Sequence, residues 1–243
     1  MTADLLKELL ERKISEKAPE KQAPAAYAIF CSDSRLDSSA FISSPVNRLF
    51  VTRNIGNQVI GLMGSPSYPV SHLHSVKLVV VVGHVGCGAV AAAYKMSKEL
   101  KPQFNKKIPQ IQAAVANELD ILKDEKKRLL HSDSEEAIKE ELASMSRFFA
   151  NAAKVIGKDE EPYLPRHSEA NVNLQVAALL QLDKVREKIG SGEIVVAGAV
   201  YDFLGKYGPA GSIYLVNVNG GPSGKSIYAS MPEIRSCIRT FLK

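Results

Sequence analysis

The chain has 243 residues, 45% hydrophobic and 23% charged, with 31 Lys+Arg against 26 Asp+Glu for a formal net charge of +5; it is long enough for one well-buried α/β core, and neither disorder nor a fibrous repeat fits the composition. The two signs interleave, as in KELLERKISEKAPEK and LKDEKKRLL, which reads as solvated helix faces rather than the one-sided basic stripe of a nucleic-acid surface. The longest strongly apolar run, LVVVVG at 78–83, is far short of the ~20 residues that cross a bilayer, so no membrane span is expected.

In chain order, Leu5, Leu6, Leu9, Leu10 and Ile14 share one helical stripe ahead of the breaker APEKQAP, which predicts an N-terminal helical arm over 1–20. This start has neither the apolar core of a signal peptide nor the acid-poor character of a transit peptide, so the expected location is cytoplasmic. AAYAIFC (25–31), RLFVTR (48–53), KLVVVVGH (77–84) and EIVVAGAVYD (193–202) are continuously apolar, the pattern of parallel strands covered on both faces. SIYLVNVN (212–219) alternates like an edge strand. Helical patterns follow Gly88 (AVAAAYKMSKEL) and run over Ile108–Leu130, Glu135–Ile156 and about 168–189, where Gly190 would stop the last one. The expected fold is therefore α/β: a mostly parallel four-stranded sheet with a fifth edge strand, flanked by helices. The reading is of a single domain over 1–243, with 99–165 as a helical insertion between the third and fourth strands.

Chemistry in such sheets gathers at the carboxyl ends of the strands. The first strand ends in Cys31-Ser-Asp33-Ser-Arg35, and the third in His84-Val-Gly-Cys87-Gly88. Three cysteines (Cys31, Cys87, Cys237) cannot all pair in disulfides, so a metal ligand, a nucleophile or core filler is the reading for each. Should the two strand ends share one crevice, two thiolates and an imidazole meet there, a donor set that suits tetrahedral Zn²⁺ with the fourth position open. Asp33 would fill that position or point past it, and Arg35 would hold the carboxylate by a bidentate charge-assisted pair.

C-x-D-S-R followed later by H-x-x-C-G resembles the β-class carbonic anhydrases. RNIGN (53–57) and GAVYDFLGKYG (198–208) are similar to further segments of that family. The resemblance implies zinc-dependent reversible hydration of carbon dioxide to bicarbonate, one Zn²⁺ per chain held by Cys31, His84 and Cys87, and Asp33 with Arg35 as the catalytic dyad. It further implies substrate contacts from Gln22, Phe50, Ile55 and the Gly88 N–H, and a homodimer or higher homo-oligomer whose pockets lie at the interface. Two thiolates cancel the metal's formal charge, which leaves more of the work to Asp33. The chain has no Trp, and the family's best-known regulatory bicarbonate pocket uses one, so the open form of the site is expected. His72, His74, His131 and His167 are the available proton acceptors.

Two segments depart from the family pattern. LDSSAF follows CSDSR where V-x-P is usual, and SPSYPVSHLHS sets Tyr68 between Pro66 and Pro69, where a proline would interrupt a helix interior. The alternative activity is hydrolysis of carbonyl sulfide or carbon disulfide on the same scaffold. NGGPSGKS (219–226) misses P-loop spacing because Asn219 stands where the first glycine belongs, so it reads as a glycine-rich turn. A purely structural zinc site would need a fourth protein ligand, for which Cys237 is the spare thiol.

Overall fold

The structure, a computed structural model, describes residue 7 and residues 19–60, 64–99, 134–156 and 165–221. Apart from Lys7, Pro19 and Glu20, the expected N-terminal arm lies outside the described residues, as do the helix over 108–130, His131 and Cys237. Five strands form one sheet in the order β2-β1-β3-β4-β5: β1 (Ala26–Cys31), β2 (Leu49–Asn54), β3 (Leu78–His84), β4 (Val195–Asp202) and β5 (Ser212–Val218). The first four run parallel and β5 pairs antiparallel to β4, in agreement with the expected fold class. Every residue of β1 is buried, whereas β2 is mostly half-buried with Arg53 exposed, because β2 is an edge strand.

Five helices are described: α1 (Gly64–His72), α2 (Gly88–Ser97), α3 (Ser134–Ile156), α4 (Pro165–Leu179) and α5 (Asp183–Gly190). Of these, α4 is the central one, packing on β3 and β4 from one side and on α2 and α3 from the other. Apart from Arg166 all its residues are buried. Its close approach is made possible by two glycines: a Cβ on Gly83 or on Gly198 would lie 2.7 Å from a methyl of Val172. Val172 thus occupies a saddle between β3 and β4 that any larger residue would fill, and the core forms around it.

The helix expected over 168–189 is in fact two, α4 and α5, separated at 180–182. The break is stabilised by Arg186, whose Nη1 donates to the carbonyls of Leu180 (3.0 Å) and Gln181 (2.9 Å), satisfying acceptors that the end of α4 leaves open. Asp183 opens α5, where the helix dipole favours an acid. Gly190 is the last residue of α5, and the C-cap is Ser191.

Pro69 also behaves differently from expectation, since α1 continues through it and Leu73 N donates to Pro69 O at 3.2 Å. Pro69 is the sixth of the nine residues of α1, so the helix forgoes one hydrogen bond there, and burial of Pro66, Pro69 and Val70 holds the segment down. After β5, Asn219 and Gly220 take positive φ (49° and 85°) and Val218 bridges to Gly221, so the described part of the glycine-rich stretch is a tight turn.

Candidate metal centre

Cys31 ends β1 and His84 ends β3, the strand hydrogen-bonded beside it. Beyond β3 the chain turns at Gly86 (φ 73°) and brings Cys87 to the N-cap of α2. The result is that one ligand atom from each of Cys31, His84 and Cys87 falls within 4.8 Å of the other two, all three residues being buried. Among the described residues this is the group able to hold a metal ion.

The donor geometry fits zinc. The two sulfurs stand 3.8 Å apart, and sulfurs each ~2.3 Å from one tetrahedral centre are ~3.8 Å apart. The imidazole is set by its other nitrogen: Nδ1 lies 3.1 Å from the carbonyl of Val85, a contact that places the proton on Nδ1 and leaves the Nε2 lone pair for a metal. That Nε2 is buried with no hydrogen-bond partner, a condition a metal would relieve. Backbone position is held as well, Ser168 of α4 donating to His84 O at 2.7 Å.

Electrostatics favour ionised sulfur. The Cys31 thiol is pulled down, first by the facing Cys87 and then by His84 and by the Gly56 N–H, against the opposing effect of burial; Gly56 N lies 3.4 Å from Cys31 Sγ. Cys87 is pushed up by the same sulfur pairing and by burial, although the N–H groups of Val90 and Ala89 in the first turn of α2 oppose this. The facing sulfurs thus favour one shared thiolate, and a cation between them is what stabilises two thiolates together.

Asp33 stands beside the group. Arg35 donates to both of its oxygens, Nε to Oδ1 at 2.8 Å and Nη2 to Oδ2 at 2.6 Å. This pairing keeps the carboxyl well below the usual carboxylate range. Oδ2 lies 3.7 Å from His84 Nε2, so the ionised carboxylate faces the atoms that would bind metal while being held off them. The loop carrying it is clasped by Arg53, which donates to the carbonyls of Cys31 (3.3 Å), Asp33 (3.1 Å) and Leu36.

The remaining expected residues sit on separate elements. Gly88 is the first residue of α2 and exposed, and a Cβ there would meet nothing within 4 Å. Ile55 is half-buried in the 3-10 turn that presents Gly56 to Cys31. Phe50, half-buried on β2, meets the rings of Tyr27 (5.8 Å) and Tyr68 (5.9 Å). Gln22 is exposed on the segment before β1, and no hydrogen bond joins it to the centre among the described residues. Of the histidines, His72 is exposed with its ring 5.3 Å from that of Tyr68, and His74 is exposed. His167 is fully buried, and burial lowers its pKa to about 4, which removes it as a proton acceptor near neutral pH.

Several supporting residues escaped the sequence reading. Asn171 Nδ2 donates to Gly56 O at 2.9 Å, and Gln175 Nε2 donates to Asn171 Oδ1 at 3.0 Å while its Oε1 accepts from Val59 N at 2.7 Å. These bonds fasten the Gly56 turn to α4. Their signal was a pair of amides one helical turn apart, Asn171 and Gln175, among the three amides of the mostly apolar stretch NVNLQVAALL.

Comparison with known proteins identifies the family. The sequence model of the carbonic anhydrase family matches residues 26–205. A carbonic anhydrase of Helicobacter pylori is 26% identical over 199 residues, covering 78% of this chain and 77% of that one. One from Emericella nidulans is 41% identical over 76 residues, which is 30% of this chain and 33% of its own length. Among solved structures, a tetrameric β-carbonic anhydrase of Sordaria macrospora aligns with a TM-score of 0.55 at 24% identity, covering 81% of this chain and 82% of that one. A Coccomyxa β-carbonic anhydrase, solved with acetazolamide, gives 0.50 at 23% identity over 91% and 81%; these two likenesses speak to the fold. With a family match spanning most of its length and a sheet of the same architecture, the chain belongs to the β-class carbonic anhydrase family of enzymes.

Proposed function

We propose that the chain catalyses zinc-dependent reversible hydration of carbon dioxide, CO₂ + H₂O giving HCO₃⁻ + H⁺, with one Zn²⁺ held by Cys31, His84 and Cys87. The observation that carries this reading is the convergence of those three donors beside a carboxylate that is ionised and yet committed to Arg35. When bound, zinc with an open position supplies the Lewis acidity that makes water a usable nucleophile near neutral pH. The rest of the work falls to the chain.

Asp33, kept ionised by Arg35, accepts a hydrogen bond from the attacking water and so fixes which lone pair faces the substrate carbon. Because Arg35 occupies both carboxylate oxygens, Asp33 stays out of the position that water needs. The N–H of Gly88, in the first turn of α2 and so without an intrahelical acceptor, is available to a substrate oxygen in the open space above it. Phe50 and Ile55 offer the apolar wall that a linear, uncharged substrate requires. Proton release goes to solvent through an exposed base, a part we assign to His72, which is exposed beside Tyr68. The half-buried edge strand β2 and the exposed Gln22 fit a homodimer that completes the pocket from a second copy.

Stopped-flow carbon dioxide hydration and metal analysis on the same purified sample test this reading. Activity proportional to zinc content supports it; full activity in metal-free protein would overturn it. Parallel assays with carbonyl sulfide and carbon disulfide separate the hydration from hydrolysis on the same ligands.

A further inference from the structure

Phe203 is the first residue beyond β4 and occupies a place between two parts of the centre. Its ring lies under the Arg35 guanidinium, whose Cζ is 4.2 Å from the ring centroid. The same ring stacks on His84, with centroids 5.6 Å apart and planes inclined at 28°. We propose that Phe203 is a positioning residue for the Asp33–Arg35 pair, its ring serving as the platform that keeps Arg35 on the carboxylate and the carboxylate away from the metal position.

The need for a platform follows from exposure. The Arg35 side chain is 53% exposed, and an ion pair open to water gains little while it loses the freedom of a long side chain. An aromatic face below a guanidinium adds an attraction of comparable size and fixes the plane of the fork, which is what two parallel bonds to one carboxylate require. Without it, Arg35 has solvent as an alternative partner. Asp33, whose Oδ2 is already 3.7 Å from His84 Nε2, is then free to turn toward the space shared by the ligands. An aliphatic residue of similar size would fill the volume and supply no such face.

The platform is itself held in place. Asp202, fully buried, accepts from Leu204 N at 3.2 Å and from Tyr207 N at 2.5 Å, closing the turn that carries Phe203. The Tyr201 ring supports it edge-on at 5.6 Å. Register adds a reason for its reach to both partners, since Tyr201 on β4 pairs with His84 on β3, and the turn beyond Tyr201 overhangs the end of β3.

The proposal rests on Asp33 acting as described above, and its test separates the two. Zinc-loaded Phe203→Leu and Phe203→Tyr are compared with the parent, alone and combined with Arg35→Ala. Phe203→Leu is expected to lower kcat/KM about two- to fivefold with zinc content and melting temperature unchanged, and Phe203→Tyr, which keeps the ring face, to restore it. Phe203→Leu should cost nothing further in the Arg35→Ala background. An equal loss in both backgrounds, or no loss in the parent, would overturn the proposal. Independently of activity, the Arg35 Nε–H resonance, identified by its absence in Arg35→Ala, should move and exchange faster with water in Phe203→Leu; an unchanged resonance overturns the platform. If the parent itself hydrates no carbon dioxide, the proposed function fails, and that resonance alone decides the role of Phe203.

Discussion

Asp33 receives both of its short side-chain hydrogen bonds, 2.8 and 2.6 Å, from Arg35, a residue two places further along the same loop. The pair is local in sequence, and tertiary structure adds the 3.7 Å approach to His84, the Phe203 ring under the guanidinium and the Arg53 clasp on the loop. Removing the charge while keeping the shape tests its use. Asp33→Asn should retain zinc and lose about a hundredfold or more in hydration, the scale of a positioned acid–base group. Stopped-flow rates with metal content measured on the same sample check it, and a variant as active as the parent would exclude the dyad from catalysis.

Cys31→Ala and Cys87→Ala should each weaken zinc binding by well over a hundredfold, since loss of outer-shell partners alone costs about 10–100-fold. Chelator competition reads the affinity directly. The sulfurs face each other at 3.8 Å, so in the zinc-free protein either substitution also removes the close sulfur pairing; the remaining thiol should then titrate nearer its ordinary range, which absorbance of the thiolate can follow. Retention of stoichiometric zinc in Cys31→Ala would remove it from the ligand set.

His167 gives a pH prediction. It is fully buried with neither ring nitrogen hydrogen-bonded, and burial first, then Arg166 and Lys98, lower its pKa from 6.5 to about 4. The folded state thus keeps a neutral ring where the unfolded chain takes up a proton. The contribution to stability is whole above pH 6.5, declines as the pH falls toward 4, and is flat below. Across that interval it amounts to about 3 kcal/mol, at ~1.4 kcal/mol per unit. Denaturant melts of His167→Leu at pH 7 and pH 4.5 should show the smaller acid loss relative to the parent; the same loss in both would acquit His167.

Asn171→Ala should destabilise the protein by about 1–3 kcal/mol, because the Gly56 carbonyl and the Gln175 amide lose their partner inside the core. The Gly56 turn also donates to Cys31, so zinc affinity should fall with stability. Thermal melts of the apo and zinc-loaded variant measure both effects, and a variant as stable as the parent would mean that water replaces the amide.

The fold class was legible because parallel strands covered on both faces leave unbroken apolar runs, and four such runs separated by helical patterns admit few arrangements. The convergence of Cys31, His84 and Cys87 was legible for a related reason: strand ends are where a parallel sheet exposes side chains, and both Cys31 and His84 sit at one. Local spacing also announced the Asp33–Arg35 pair. Burial of β2 was overread, since an edge strand and a central one can share an apolar sequence and differ only in their neighbours. The break between α4 and α5 depended on Arg186 reaching back to two carbonyls, and the passage of α1 through Pro69 on packing below it. Phe203, Asn171 and Gln175 act across long chain separations, and no periodicity encodes which distant backbone group a side chain will meet. Composition and local pattern thus settled which residues could do the chemistry, while close packing of α4 into the saddle of Gly83 and Gly198 decided what holds them in place.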